Sequence, residues 1–295
     1  MVRSKRLMKT RLTAYTFLFP NILGFVVFIL LPVVFSFAMS FTNWDGYNWP
    51  DFIGLKNFGR MINSESFRIS LVNTLIFSFF SVPFTIAIST LMAVGMNVPG
   101  KGVYLFRLLI FVPYVSSTIA IAAVWNLILH PTMGPVNHLL MDLGIRNPPG
   151  WFSSSASAMS GVIIISIWKH LGYFMVIMLA ALQGIPRSLY ECSLIDGANP
   201  RQQFFKITLP MLSPALFFAS VIGIINSFKV FDLIYALTEG GPGRATNVLA
   251  FTIYQEAFIR FRFGYASSLA LFLFLIIMIV TYIQFRGQKK WVHYV

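Results

Sequence analysis

Apolar residues fall along this chain in long blocks separated by shorter polar connections. No Asp, Glu, Lys or Arg occurs between Arg11 and Asp45, between Arg68 and Lys101, between Arg107 and Asp142, or between Arg262 and Arg286. An α-helix rises about 1.5 Å per residue, so roughly 20 apolar residues cross the ~30 Å hydrocarbon core of a bilayer. Each of the four gaps contains such a run. Two further stretches, about 158–183 and about 211–235, are equally apolar but carry Lys169 with His170 and Lys229 with Asp232. The pattern predicts six spanning helices, at approximately 12–41, 70–97, 104–129, 158–183, 211–235 and 264–286, with no separate soluble domain between them. Pro20, Pro32, Pro83 and Pro113 fall inside spans. A membrane helix tolerates proline where neighbouring groups satisfy the freed carbonyls, so kinks rather than breaks are expected.

Composition agrees with lipid as the solvent. With 57% hydrophobic and only 11% charged residues, a water-soluble domain of 295 residues could not hide its apolar surface. The class is therefore all-α and polytopic. The excess of 22 Lys and Arg over 9 Asp and Glu gives a net charge of +13, yet the cations form no compact patch, which argues against nucleic acid as a partner. With the N-terminus inside, Arg3, Lys5, Arg6, Lys9, Arg11, Lys101, Arg107, Arg187, Arg201, Lys206, Arg286, Lys289 and Lys290 are cytoplasmic. Longer outer segments then hold Lys56, Arg60, Arg68, Arg146, Arg244, Arg260 and Arg262. Positive-inside placement predicts both termini in the cytoplasm. The organisation that follows is a cytoplasmic segment 1–11, a membrane domain 12–286 that includes the connection 185–210, and a tail 287–295.

The basic start and the apolar run behind it resemble a secretory signal, but Leu12 to Phe41 is about twice the usual apolar core and lacks a small-x-small cleavage site. It is expected to stay as the first span. The single Cys192 excludes a disulfide framework or a cysteine metal cluster. Trp44-Asp45-Gly46 and Pro148-Pro149-Gly150-Trp151 combine turn formers with interfacial aromatics in the outer connections.

The connection Ile185 to Pro210 is too polar to span and full of helix signals. Ser188 followed by Glu191 has the spacing of a capping box. Gly197 can adopt the left-handed conformation that ends a helix, and Asn199 before Pro200 supplies an N-cap with proline at the first helical position. Pro210 is expected to end the second helix. Two short helices making an amphipathic elbow follow, either lying on lipid headgroups or docking a partner.

Within that elbow, Glu191, Asp196-Gly197-Ala198, Phe204, Ile207 and Leu209-Pro210 match in order and spacing the EAA signature of ABC importer permeases. Cys192 and Ser193 stand where the signature has two alanines; both are small. Phe52-Ile53-Gly54-Leu55-Lys56-Asn57-Phe58, Asn73-Thr74, Phe111-Val112-Pro113, Trp168 through Tyr173, and Phe231-Asp232 through Gly240-Gly241-Pro242 are similar to the sugar branch of that family. The chain thus resembles a permease of the multiple-sugar and glycerol phosphate type over nearly its whole length. The resemblance implies type I importer architecture in a prokaryotic cytoplasmic membrane. It implies a second, non-identical permease, two ATPase subunits, an extracytoplasmic solute-binding protein and a carbohydrate substrate. It makes Glu191, Cys192, Ser193, Asp196, Gly197, Ala198, Phe204, Ile207 and Pro210 the surface that docks the ATPase.

No nucleotide site is expected in the chain itself. Gly95 to Gly102 nearly fits a phosphate-binding loop, but Gly102 stands where Ser or Thr must ligate magnesium, and no strand precedes it. ATP and magnesium are therefore expected on the partner ATPases. The glycine-rich Thr238 to Thr246 lacks the following helix of a nucleotide site, and the resemblance has it face the binding protein.

Polar residues inside the spans are the candidates for the path. Lys229 and Asp232, three apart, either neutralise one another as a structural pair or belong to the path with Asn226 and Ser227, offering donors and acceptors to sugar hydroxyls. Lys169 and His170 are expected as a helix-interface pair or a lysine reaching toward water. Asn73 and Asn126 are either interhelical hydrogen-bond partners or part of the path. The expected mechanism is alternating access driven by ATP, with no covalent chemistry in this chain. An ion-coupled secondary transporter using Lys229 and Asp232 is the alternative. A membrane hydrolase is set aside, since four scattered histidines give no HExxH.

Overall fold

A computed structural model describes residues 15–292. The cations Arg3 to Arg11, the first residues of the expected first span and residues 293–295 lie outside the described residues. Regular structure among the described residues is helical, with one isolated antiparallel bridge, Thr42 to Phe52. Four continuous helices are long and apolar enough to cross a membrane: α1 (Tyr15–Met39), α3 (Glu65–Gly95), α7 (Ala158–Gln183) and α13 (Phe263–Gln288). Two bent pairs complete a set of six when each counts as one span. They are α4 (Lys101–Val115) with α5 (Thr118–Ile128), turning through 102°, and α9 (Pro200–Met211) with α10 (Ser213–Phe228), turning through 62°. The shorter helices are α2 (Lys56–Asn63), α6 (Pro135–Asp142), α8 (Arg187–Ile195), α11 (Asp232–Leu237) and α12 (Leu249–Tyr254).

The prolines act differently from one another. Pro83 sits inside an unbroken α3. Before Pro32 the backbone widens into a π turn, Val26–Leu30, and before Pro210 into another, Phe204–Thr208. Each wide turn moves the preceding carbonyls out of the way of the ring. Pro210 therefore does not end its helix, contrary to expectation; α9 runs on to Met211. The turn comes at Leu212, ahead of Pro214, and the Ser213 hydroxyl donates to the Pro210 carbonyl (2.6 Å) that Pro214 cannot serve. Pro113 gives a break where a kink was expected. Its helix stops at Val115, and Ser116 and Ser117 are extended (ψ 150° and 128°) before α5 restarts.

The chain divides into two compact units, Met1–Asn63 with Ile253–Phe272 and Ser64–Thr252 with Leu273–Val295. In the first, buried Asn57 donates to the carbonyls of Ser40 (2.9 Å) and Thr42 (2.8 Å), and the Gly264 amide donates to Trp44 O (3.0 Å). Gly264 is required there, since a Cβ would lie 2.1 Å from the Thr42 carbonyl. Glu256, with a 4% exposed side chain, is paired with Arg260 and Arg262.

In the second unit, α3 and α7 pack along their length and α10 packs on both. Met175, Met178, Ile165 and Leu212 are fully enclosed. Gly172 lets α7 touch the backbone of α4, because a Cβ there would lie 2.3 Å from the Ile110 carbonyl. The Ser89 hydroxyl donates across to Leu171 O (2.9 Å), and Ser227 to the Ser78 hydroxyl (2.8 Å), so polar groups inside this apolar bundle are used as interhelical links.

Candidate functional site

The elbow is built by local rules. Pro186, extended at ψ 129°, separates α7 from α8, and α8 starts at Arg187 with no side-chain cap. Ser188 then lies inside the first turn, so the capping box expected from Ser188 and Glu191 does not form. At the other end Gly197 has φ +75°, its N–H donates to Leu194 O (3.0 Å), and Ala198 N–H donates to Ser193 O (2.9 Å). That reciprocal pair satisfies the last carbonyls of α8 and reverses the chain. A capping box does occur at the next helix start: Gln202 N–H donates to Asn199 Oδ1 (2.9 Å) and Asn199 N–H donates to Gln202 Oε1 (2.8 Å).

Side chains then join α8 to α9. Tyr190 and Thr208 hydroxyls share a 2.9 Å bond, and Gln203 donates to the Ser193 hydroxyl (2.9 Å), which itself donates to Tyr190 O (2.7 Å). Serine in place of alanine at 193 is thus a structural joint. Glu191, Cys192, Asp196 and Gly197 are exposed, while Ser193, Ala198, Phe204, Ile207 and Pro210 are half-buried. The tip is also apolar. Ile195 is 86% exposed and Leu194 and Phe205 each 64%, next to Arg201 and Lys206. Exposed apolar residues on a polar connection mark a contact surface.

A cavity of about 320 Å³ with both polar and apolar groups on its wall lies in the same unit among α3, α7, α10 and the segment leading into α11. Helical spacing lines it up. Phe77, Ser81 and Thr85 share one face of α3, Ser166, Lys169, His170 and Phe174 one face of α7, and Gly223, Asn226 and Ser227 one face of α10. Helix α10 stops at Phe228, and the break that follows exposes Lys229 and Asp232 on the wall.

Lys229 and Asp232 do not pair with one another as expected, because that break ends the helical spacing which would have brought them together. Asp232 is instead 3.8 Å from the Lys169 ammonium and accepts from the Thr118 hydroxyl at 2.6 Å. Thr118 also accepts from Lys169. A buried ammonium, a hydroxyl and a carboxylate thus form a closed circuit that ties α5, α7 and α11 together. These bonds offset part of the cost of burying the Lys169 charge, which is about 3 kcal/mol for a lone lysine at a membrane helix centre. His170 Nδ1 donates to Ser166 O (2.7 Å), and its ring lies edge-on to Tyr114, 6.0 Å away.

Asn226, Ser227, Lys229 and Asp232 all line the cavity. Asn73 does not; it donates to the carbonyls of Arg244 and Asn247 (both 3.0 Å) and anchors the glycine-rich loop, inside which the Thr238 and Thr246 hydroxyls meet at 2.7 Å. Asn126, half-buried on α5, is also absent from the wall. A larger groove of about 720 Å³ along α3 and α10, closed by Val280 and Trp291, is almost wholly apolar and offers little to a polar solute.

Residues 85–292 match the model of a protein family described as the binding-protein-dependent transport system inner membrane component. This chain belongs to that family. The inner membrane component is 36% identical to a probable ABC transporter permease protein, YesP, of Bacillus subtilis, over all of this chain and 96% of that protein. It is 33% identical to the sn-glycerol-3-phosphate transport system permease protein UgpA of Pectobacterium atrosepticum over the full length of both. With the trehalose/maltose transport system permease protein MalF of Thermococcus litoralis it shares 34% over 92% of each chain. Its fold is similar to a chain in the crystal structure of a bacterial ABC transporter involved in the import of the acidic polysaccharide alginate, with a TM-score of 0.85, 25% identity and coverage of 98% and 99%. The architecture of this inner membrane component is thus that of an ABC importer permease.

Sequence reasoning alone missed Phe77, Ser81, Thr85, Ser166 and Thr118. The signal was present, since small polar residues recurring four apart in an apolar span, as Ser81 and Thr85 do, mark one inward face. Lys169 and His170 were expected as a helix-interface pair or as a lysine reaching toward water; Lys169 is bonded across helices to Thr118 and Asp232, His170 to Ser166 of its own helix, and both line the cavity.

Proposed function

We propose that this component forms half of the translocation path of an ATP-driven carbohydrate importer, beside a second, non-identical permease. The exposed elbow carries the reading: a stiff, doubly capped turn with Leu194, Ile195 and Phe205 facing outward is suited to transmit force from a separate protein. Glu191 through Pro210 dock an ATPase subunit, two of which bind the ATP and magnesium. The distribution of cations supports both termini, and the elbow with them, on the cytoplasmic side. The glycine-rich loop Thr238 to Thr246 lies outside, toward a solute-binding protein.

Carbohydrate as cargo is supported by the names of the relatives and by the wall chemistry. Asn226, Ser227, Ser166 and Thr85 offer hydrogen bonds to hydroxyls, with Phe77 and Phe174 beside them for the apolar faces of a sugar ring. Closure of the ATPases moves the elbow, α9 moves with it, and the helices expose the cavity to each side in turn.

The test is uptake into vesicles carrying the complete complex. Uptake should require ATP and the binding protein, and should stop when the ATPase subunits are inactivated. Transport that continues on an ion gradient without ATP would assign the chain to secondary transport instead.

A further inference from the structure

The cavity has an unbalanced charge. Its ionisable wall groups are Lys169, His170, Lys229 and Asp232. Asp232 is committed to Lys169 and Thr118. The Lys229 ammonium has no hydrogen bond or ion pair among the described residues, and its side chain is exposed to the cavity. It sits at the C-cap of α10, where the helix's last carbonyls favour a cation without using up its hydrogen-bonding capacity. A cation held in a membrane cavity with its carboxylate neighbour already engaged is a binding group in want of an anion.

We infer that the transported carbohydrate is anionic, and that the Lys229 ammonium selects it by pairing with a carboxylate or phosphate in the cavity. The inference rests on the importer reading above and adds the charge of the cargo to it. The neighbouring hydroxyl and amide groups of Asn226 and Ser227 then hold the uncharged part of the same molecule. Since Lys169 is already paired, the selectivity belongs to Lys229.

The experiment is calorimetric titration of the purified complete complex with three probes: digalacturonate, its neutral digalactose counterpart, and glycerol 3-phosphate. Wild type should bind at least one anion about tenfold or more tightly than digalactose. Preference for digalacturonate identifies a carboxylate as the partner; preference for glycerol 3-phosphate identifies a phosphate. Lys229→Gln should bring the anion-to-neutral ratio to about one, and Lys229→Arg should keep it. Wild-type binding with no anion preference, no binding of either anion, or an unchanged ratio in Lys229→Gln would overturn the inference. A lowered melting temperature in Lys229→Gln with the anion preference retained would overturn it too, placing Lys229 in an ion pair with the second permease. Binding-protein-stimulated ATP hydrolysis, measured in the same preparation, separates failure of the charge inference from failure of the importer reading.

Discussion

The elbow is shaped mainly by hydrogen bonds between neighbours in Ile185–Pro210 and turns apolar side chains outward, whereas the cavity gathers polar side chains from four separate segments and turns them inward. Each inverts the usual arrangement for its surroundings. Apolar groups in water are tolerated at the elbow when a partner will cover them. Buried polar groups within an apolar bundle are tolerated at the cavity when they bond to one another, as in the Lys169–Thr118–Asp232 circuit. The two regions should therefore fail differently, the elbow through function and the Lys169–Thr118–Asp232 circuit through stability.

The largest effect is expected at the elbow. Gly197→Arg forces a side chain into the left-handed region, at a local cost of about 1–2 kcal/mol, and places bulk on an exposed tip where nothing else is within 4 Å. Glu191→Lys reverses an exposed charge on α8. Either change should cut uptake roughly a hundredfold or more, equivalent to about 2.7 kcal/mol, with insertion intact in both and the melting temperature unchanged in Glu191→Lys. Uptake at the wild-type rate in either variant would contradict a docking role.

At the cavity the expected loss is one of stability. Asp232→Asn or Lys169→Met should each cost about 1–3 kcal/mol. That lies below the figure for a fully buried pair because the Asp232 side chain is 63% exposed. Thermal unfolding in detergent should show the double variant less destabilised than the sum of the singles. Additive losses would mean that the circuit does not act as a unit. Gly172→Ala should cost a similar amount, about 1–3 kcal/mol, by overpacking. The added methyl meets the Ile110 carbonyl, which is backbone and cannot swing away.

The smallest effect lies outside both regions. Asp45 accepts from the backbone N–H groups of Tyr47 (3.0 Å) and Asn48 (2.9 Å), and these bonds, the one from Asn48 first, lower its pKa. The anion is favoured in the folded turn, so its contribution is complete above the ordinary aspartate range and is lost as pH falls through the lowered value. Amide exchange at Tyr47 and Asn48, corrected for intrinsic rates, should stay slow just below pH ~4 and quicken only in stronger acid. In Asp45→Ala it should be fast throughout.

The same contrast explains what could be read from the chain. Gly197, Asn199 and Pro200 act through neighbours within a few residues, so the turn they make was legible from residue type and spacing. Ser188 misled because a capping box depends on which residue begins the helix, and Pro186 had already taken the N-cap two positions earlier. The spans were legible as apolar runs, but the breaks at Ser116 and Lys229 were not, since hydropathy does not register a change of direction. Asp232 was assigned to Lys229 by helical spacing that the second break removes. Its actual partners, Lys169 and Thr118, come from other helices and are joined to it only by tertiary packing. Asn73 resembled a path residue for the same reason, and its use as an anchor for the loop at Arg244 and Asn247 follows from the fold alone.

The docking of the elbow can be tested without introducing a reporter, because Cys192 is the chain's single cysteine and is exposed on α8. Maleimide labelling of Cys192 in vesicles of known sidedness should proceed only from the cytoplasmic side. It should be suppressed in the complete complex and restored when the ATPase subunits are stripped away. Equal labelling with and without those subunits, or labelling from the outer face, would contradict the account.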